Sequence, residues 1–151
     1  MIQKIKHFFQ AQLAPDSSAM NRDPQQALRL AVVVLLFEVA ESDFQQHPEE
    51  RAALLSAVRK HFRLTADQAD ELLALAAMEH ADATDYFQFT QLINRHYSPQ
   101  QKVWLIEALW QVAFSDQELH QYEEHVIRRL ADLLYVPHED FIATKLRAGK
   151  P

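Results

Sequence analysis

The sequence contains no cysteine, which excludes disulfide bonds, thiolate ligands and thiol nucleophiles. Its single glycine, Gly149, leaves almost no position free for the positive φ that tight β-hairpins require, so an all-helical fold is expected. Basic residues are outnumbered 21 to 15 by acidic ones, a formal charge of −6. This removes the broad positive field that nonspecific nucleic-acid binding uses. Long apolar runs are missing too: the longest, Leu30 to Phe37, is bounded by Arg29 and Glu38. It falls far short of the roughly 20 residues that span a bilayer, and reads as a buried helix with no transmembrane segment. No signal-peptide core is visible either, because Ile2, Ile5, Phe8, Phe9 and Leu13 follow the spacing of one helix face. A cytoplasmic location is the expectation.

An apolar share of 48% and a charged share of 24% over 151 residues suit one globular domain with a sizeable core. Residues 1–22 read as an amphipathic helix, about 2–13, followed by a linker; residues 23–148 read as the helical domain. Asp23-Pro24 supplies an N-cap and a first-turn proline for a central helix to about Ser42, apolar nearly all round and so packed on several sides. A second helix runs from His47-Pro48 to Phe62, and the capping-box spacing of Thr65 and Gln68 opens a third. A fourth is expected over about Thr84 to Tyr97. Ser98-Pro99-Gln100-Gln101 opens a fifth, a sixth covers about 120–135, and Pro137 starts a last one to about Leu146. The expectation is a compact all-α domain of about seven or eight helices.

Two hairpins in this series repeat. A shift of 73 residues superposes Asp43 on Asp116, His47 on His120 and Glu50 on Glu123, and pairs Arg29 with Lys102 and Phe62 with Tyr135. Seven positions within residues 28–62 are identical at this shift, and six of them fall between Val39 and Glu50. Amphipathic periodicity accounts for matched apolar residues such as Leu36 and Leu109, but not for matched Asp, His and Glu. The two hairpins are therefore expected to form pseudo-symmetric halves.

The repeated polar residues are the candidate site. Asp43 and Asp116 fall at the C-terminal ends of apolar helices, where the negative end of the macrodipole disfavours a carboxylate by about 0.3–1 kcal/mol. Glu50 and Glu123 fall near the first turns of the following helices, where a carboxylate is favourable without any ligand. In a short αα-hairpin the two ends are adjacent, so each Asp and Glu can converge across the turn and offer hard oxygen ligands to a divalent metal ion such as Ca²⁺, Mg²⁺ or Mn²⁺. His47 and His120 are secondary candidate ligands that would shift the preference towards Zn²⁺, Mn²⁺ or Fe²⁺, although a His at a loop-to-helix junction is more often a solvent-exposed junction residue. Glu123-Glu124-His125 and His138-Glu139-Asp140 read as solvated surface, and Trp104 and Trp110 as filling against the central helix. Phe87, Phe89 and Tyr86 read as core or interface residues. No Glu-x-x-His pair, His-Glu-x-x-His motif, phosphate-cradling loop or Gly-x-Ser-x-Gly elbow occurs, and no nucleophile stands out.

The motif Ala-x-x-Asp followed seven positions later by Glu, present twice, resembles the TerB-like family, named for tellurite resistance protein B. The segment Ala113 to Leu130 carries the likeness most clearly, and the whole likeness covers about residues 25–146. It implies a compact all-α domain of two pseudo-symmetric halves, an acidic surface suggested to bind divalent metal, an association with tellurite and stress resistance, and no general enzymatic activity. By position, Asp43 and Glu50 match the first motif, and Asp116 and Glu123 the second. The family commonly has Gly directly after the Asp, where this chain has Phe44 and Gln117. A left-handed conformation at either would cost about 1 kcal/mol unless the loop is reshaped.

The expected function is a non-enzymatic module that binds divalent metal, a protein partner or a second copy of the chain through its acidic inter-helix loops, and no nucleic acid. The alternatives are a metal-dependent hydrolase using a carboxylate with His47 or His120, and a protein-interaction adaptor without metal.

Overall fold

Six consecutive side chains, Ala31 to Leu36, are completely shielded from water. At about 100° per residue they pass through every direction around a helix axis, so this helix has no solvent face in its middle. The computed structural model that places them describes residues 24–41, 48–115 and 121–149. The expected helix 2–13 with its linker, and the loop residues Asp43, Phe44, His47, Asp116, Gln117 and His120, lie outside the described residues. Among the described residues the regular structure is entirely helical: α1 (Pro24–Glu41), α2 (Pro48–Phe62), α3 (Ala66–Asp82), α4 (Phe87–His96), α5 (Pro99–Ala113), α6 (Gln121–Leu133) and α7 (His138–Ala148).

Helix α1 is the axis of the domain and packs against α2, α3, α4, α5 and α6. Helix α5 packs against α6 and α7 much as α1 packs against α2 and α3, and the two sets interlock, since α1 touches α6 and α5 touches α2. The 73-residue shift also carries over one specific contact. Arg29 lies 5.6 Å from the centre of the Phe62 ring, and Lys102 lies 5.7 Å from that of Tyr135. Each cation of α1 or α5 thus covers the aromatic residue that ends its own hairpin.

The helix starts follow local chemistry. Thr65 and Ser98 each accept a hydrogen bond from the backbone N–H three residues on, and Gln68 and Gln101 return the bond to the cap backbone, so both capping boxes form in full. The fourth helix begins later than its pattern suggests, at Phe87 and not near Thr84. Asp85 is the reason: its Oδ1 accepts the Phe87 N–H at 2.9 Å, while Ala83 is extended and closes α3. The short connection that results carries Tyr86 towards α1.

Scarcity of glycine does not keep the chain out of the left-handed region. Arg63 has φ 56° and Tyr135 has φ 59°. Each ends a hairpin in a Schellman motif, in which the Leu64 N–H donates to the Arg59 carbonyl at 3.0 Å and the Val136 N–H to the Ala131 carbonyl at 2.9 Å. Burial of the apolar residue that follows, Val136 at 7% exposure, repays the strained residue before it.

The two tryptophans part company. Trp110 is fully buried, with the Phe141 ring of α7 at 5.2 Å and the Phe114 ring at 5.8 Å. Trp104 is partly buried against the core and also stacks on His61 of α2, with ring centres 3.4 Å apart and planes 12° from parallel. Desolvation in this stack holds the His61 imidazole below its ordinary pKa of 6.5, so the folded state favours the neutral ring.

Two outcomes are expected. Arg63→Gly relieves the left-handed strain at an exposed site and should stabilise the domain by about 0.5–1 kcal/mol after the entropy of glycine in the unfolded chain is offset; urea unfolding measures it, and a lower midpoint would contradict it. Because the folded pKa of His61 is depressed, its contribution is complete above about pH 6.5 and is lost as pH falls through the folded value. The drop in melting temperature between about pH 7.5 and about pH 5.5 should therefore be smaller in His61→Phe than in wild type.

Candidate functional site

Each repeated hairpin re-enters the core with a glutamate in the first turn of its second helix. Glu49 and Glu50 begin α2, and Glu123 and Glu124 begin α6. The inward member of each pair is buried: Glu50 is 1% exposed and Glu123 is 0%. The sequence placed Glu123-Glu124-His125 on a solvated surface, which holds for His125 but not for Glu123. Helix period decides this, because Glu123 lies one turn before Ile127 and so on the face of α6 that packs into the core. The same spacing places Glu50 one turn before the buried Leu54. A carboxylate at that depth needs compensation for lost hydration, and the positive end of the helix macrodipole supplies part of it.

Of the residues that the sequence singles out, Glu50 and Glu123 are thus placed, each directly after its loop. Asp43, Asp116, His47 and His120 belong to the loops outside the described residues. Among the described residues no group of three His, Asp or Glu side chains is arranged to hold a metal ion, so a metal site at these hairpins has to draw on the loop residues as well.

Around the first hairpin the structure adds polar residues with no local signal in the sequence. Glu38, the first charged residue after the apolar run of α1, accepts a hydrogen bond from the Tyr86 hydroxyl at 2.9 Å, and His80 Nε2 lies 3.0 Å from the same oxygen, Oε1. The His80 and Tyr86 rings stack with centres 5.9 Å apart. Burial, then the negative charge of Glu38 and the bond to it, push the Tyr86 pKa well above its ordinary 10.0, so the phenol remains a donor. Next to His80, Glu79 is also buried, at 5% exposure. Tyr86 thus packs against the core while donating to Glu38, and Phe87 beside it is 62% exposed while Phe89 is fully buried. Partners 42 and 48 residues apart cannot be read from spacing; the one local hint was a carboxylate interrupting an apolar helix.

The second hairpin is surrounded differently. Lys145 Nζ donates to Glu124 at 2.5 Å and lies 5.5 Å from the centre of the Trp110 ring, and Arg147 donates to Glu107 at 2.6 Å. At the first hairpin, the ring equivalent to Trp110 is Phe37, which has the Arg51 guanidinium 5.9 Å away. Chemically, the two hairpin ends offer hard carboxylate oxygens beside helix N-termini, and the Ser115 hydroxyl at the second donates to the Val112 carbonyl at 2.7 Å.

No helix among the described residues is long and apolar enough to cross a membrane. A family model described as tellurite resistance protein TerB matches residues 29–146, from the second turn of α1 into α7. No curated protein and no solved structure gives a significant match.

Tyr86→Phe removes a charge-assisted hydrogen bond while keeping the ring. It should lower stability by about 1–2 kcal/mol, read as a lower urea midpoint at unchanged slope. An unchanged midpoint would show that Glu38 does not depend on this donor.

Proposed function

The chain belongs to the tellurite resistance protein TerB family, and from that premise we propose that it is a non-enzymatic binding module that takes a divalent metal ion at its hairpin loops. The observation that carries this reading is the recurrence of one buried first-turn glutamate directly after each loop, Glu50 and Glu123, at the same 73-residue shift that repeats Asp43 as Asp116. A favourable first turn offsets only part of the cost of burying a glutamate, and an aspartate just beyond the negative end of a helix is disfavoured by about 0.3–1 kcal/mol, a cost that a cation between the two would offset. A set of carboxylate oxygens is the donor chemistry of hard divalent ions, which fits Ca²⁺, Mg²⁺ or Mn²⁺. Asp43 with Glu50 would hold the ion in the first half, and Asp116 with Glu123 in the second; His47 and His120 are the further ligands within reach in sequence. The ion would link the end of one helix to the start of the next. Tellurite or stress resistance is the setting in which we place this activity.

A protein partner, with or without metal, is the second reading, and one feature favours it. Ile142 and Leu146 lie one turn apart on α7 and are 36% and 63% exposed, an apolar stripe on the side of the helix away from the buried Phe141 and Thr144.

A panel of divalent ions on wild type and on the double variant Asp43→Asn with Asp116→Asn tests the first reading. An ion at 100 times its dissociation constant should add about 2.7 kcal/mol, or about 5–10 °C in melting temperature, to wild type and much less to the variant. Equal responses from both proteins would remove the metal site and leave the partner reading.

A further inference from the structure

Resting on the protein-partner reading and independent of the metal, we infer that the end of the domain away from the hairpin loops is a docking surface for an acidic segment of a partner protein. Four helix ends meet there: α1 and α5 begin, and α2 and α4 finish. Arg29 of α1 lies 5.6 Å from the centre of the ring of Phe62, the last residue of α2. Its charge also reaches Tyr97, which closes α4: burial pushes that hydroxyl up to about 12, against the opposing effect of Arg29. Trp104 of α5 stacks on His61 in the last turn of α2. These contacts bring together Arg29, Arg59, Lys60, Arg63, Arg95 and Lys102, in a chain whose formal charge is −6.

Helix dipoles account for part of this. Arg59, Lys60 and Arg95 lie in the last turns of α2 and α4, where a cation is favourable without any ligand. Arg29 and Lys102 instead lie near the positive ends of α1 and α5, and neither of those helices has an acidic residue in its first turn. Lys145 and Arg147 at the other end of the domain are held by Glu124 and Glu107, but Arg59, Lys60, Arg63 and Arg95 are exposed and pair with no carboxylate among the described residues. The surface also has acidic borders. Helix α3 begins just after Arg63 with Asp67, Asp70 and Glu71, and α7 begins just after Tyr135, the ring under Lys102, with Glu139 and Asp140. A long polyanion such as nucleic acid would run from the cations onto these carboxylates, whereas a short acidic segment can stay between them. Guanidinium groups, which most of these cations carry, take carboxylates through paired hydrogen bonds, and the Trp104 and His61 rings in their midst offer apolar area to a neighbouring side chain of the same segment.

Titration of the full chain into a fluorescein-labelled oligoglutamate peptide, followed by anisotropy at low and at physiological salt, tests this. Wild type should bind, more weakly as salt rises. The double variant Arg59→Glu with Lys60→Glu should bind about tenfold more weakly, while Arg51→Glu at the hairpin end should bind as wild type does. If the double variant does not fold, Arg95→Glu on α4 carries the same test. Absence of binding at low salt, equal binding by wild type and the folded double variant, or an equal loss in Arg51→Glu would overturn the surface. Tighter binding of a single-stranded RNA oligonucleotide than of the peptide would overturn the acidic protein segment as its occupant. Failure on any of these counts leaves the partner reading standing on Ile142 and Leu146 of α7, which carry no charge and lie on a different helix.

Discussion

The domain depends on the burial of one helix on every side. Helix α1 has its middle six residues fully shielded, and this requires neighbours in all directions, which α2, α3, α4, α5 and α6 provide. Each buried Val or Leu contributes about 1.5–3 kcal/mol relative to exposure, so the run Ala31 to Leu36 is a leading source of cohesion. Helix α5 has the same character, with Leu105, Ile106, Leu109 and Trp110 buried, and the two helices touch at the centre.

Enclosing α1 this completely dictates where polar groups must be satisfied. Glu38 is the first charged side chain after the apolar run, and three quarters of its side chain is covered. Tyr86 and His80 meet it, from a connection and a helix that are placed by the packing of α3 and α4 on α1. The same geometry buries Glu50 and Glu123, because their positions in the first turns of α2 and α6 face the core. Glu50 and Glu123 are consequently set in a protected environment, whereas Glu124 and Lys145 beside the second remain about a third exposed.

Much of the architecture was legible in the sequence because it rests on local rules. The box at Thr65 and Gln68 and the one at Ser98 and Gln101 set helix starts through bonds three residues long, and six consecutive apolar residues around α1 announce a central helix by periodicity alone. The onset of α4 was misplaced because a side-chain bond from Asp85 competes with the pattern that begins at Thr84. Glycine content proved a guide to fold class but not to individual residues: tertiary burial of Val136, and of part of Leu64, tolerates Arg63 and Tyr135 in the left-handed region.

The candidate site divides along the same line. The sequence by itself determined the all-helical class, the duplicated hairpins and the glutamates that recur with them, since composition, capping and a fixed 73-residue shift are properties of the chain alone. Only the tertiary structure decided that Glu50 and Glu123 are buried, that Trp104 stacks on His61, and that Glu38 is shared by His80 and Tyr86. It also decided that His80 of α3 meets Glu38 of α1 and that Lys145 of α7 meets Glu124 of α6. These outcomes depend on which helices lie side by side, and pairing between segments dozens of residues apart is set by how apolar faces cover one another, which no local pattern encodes.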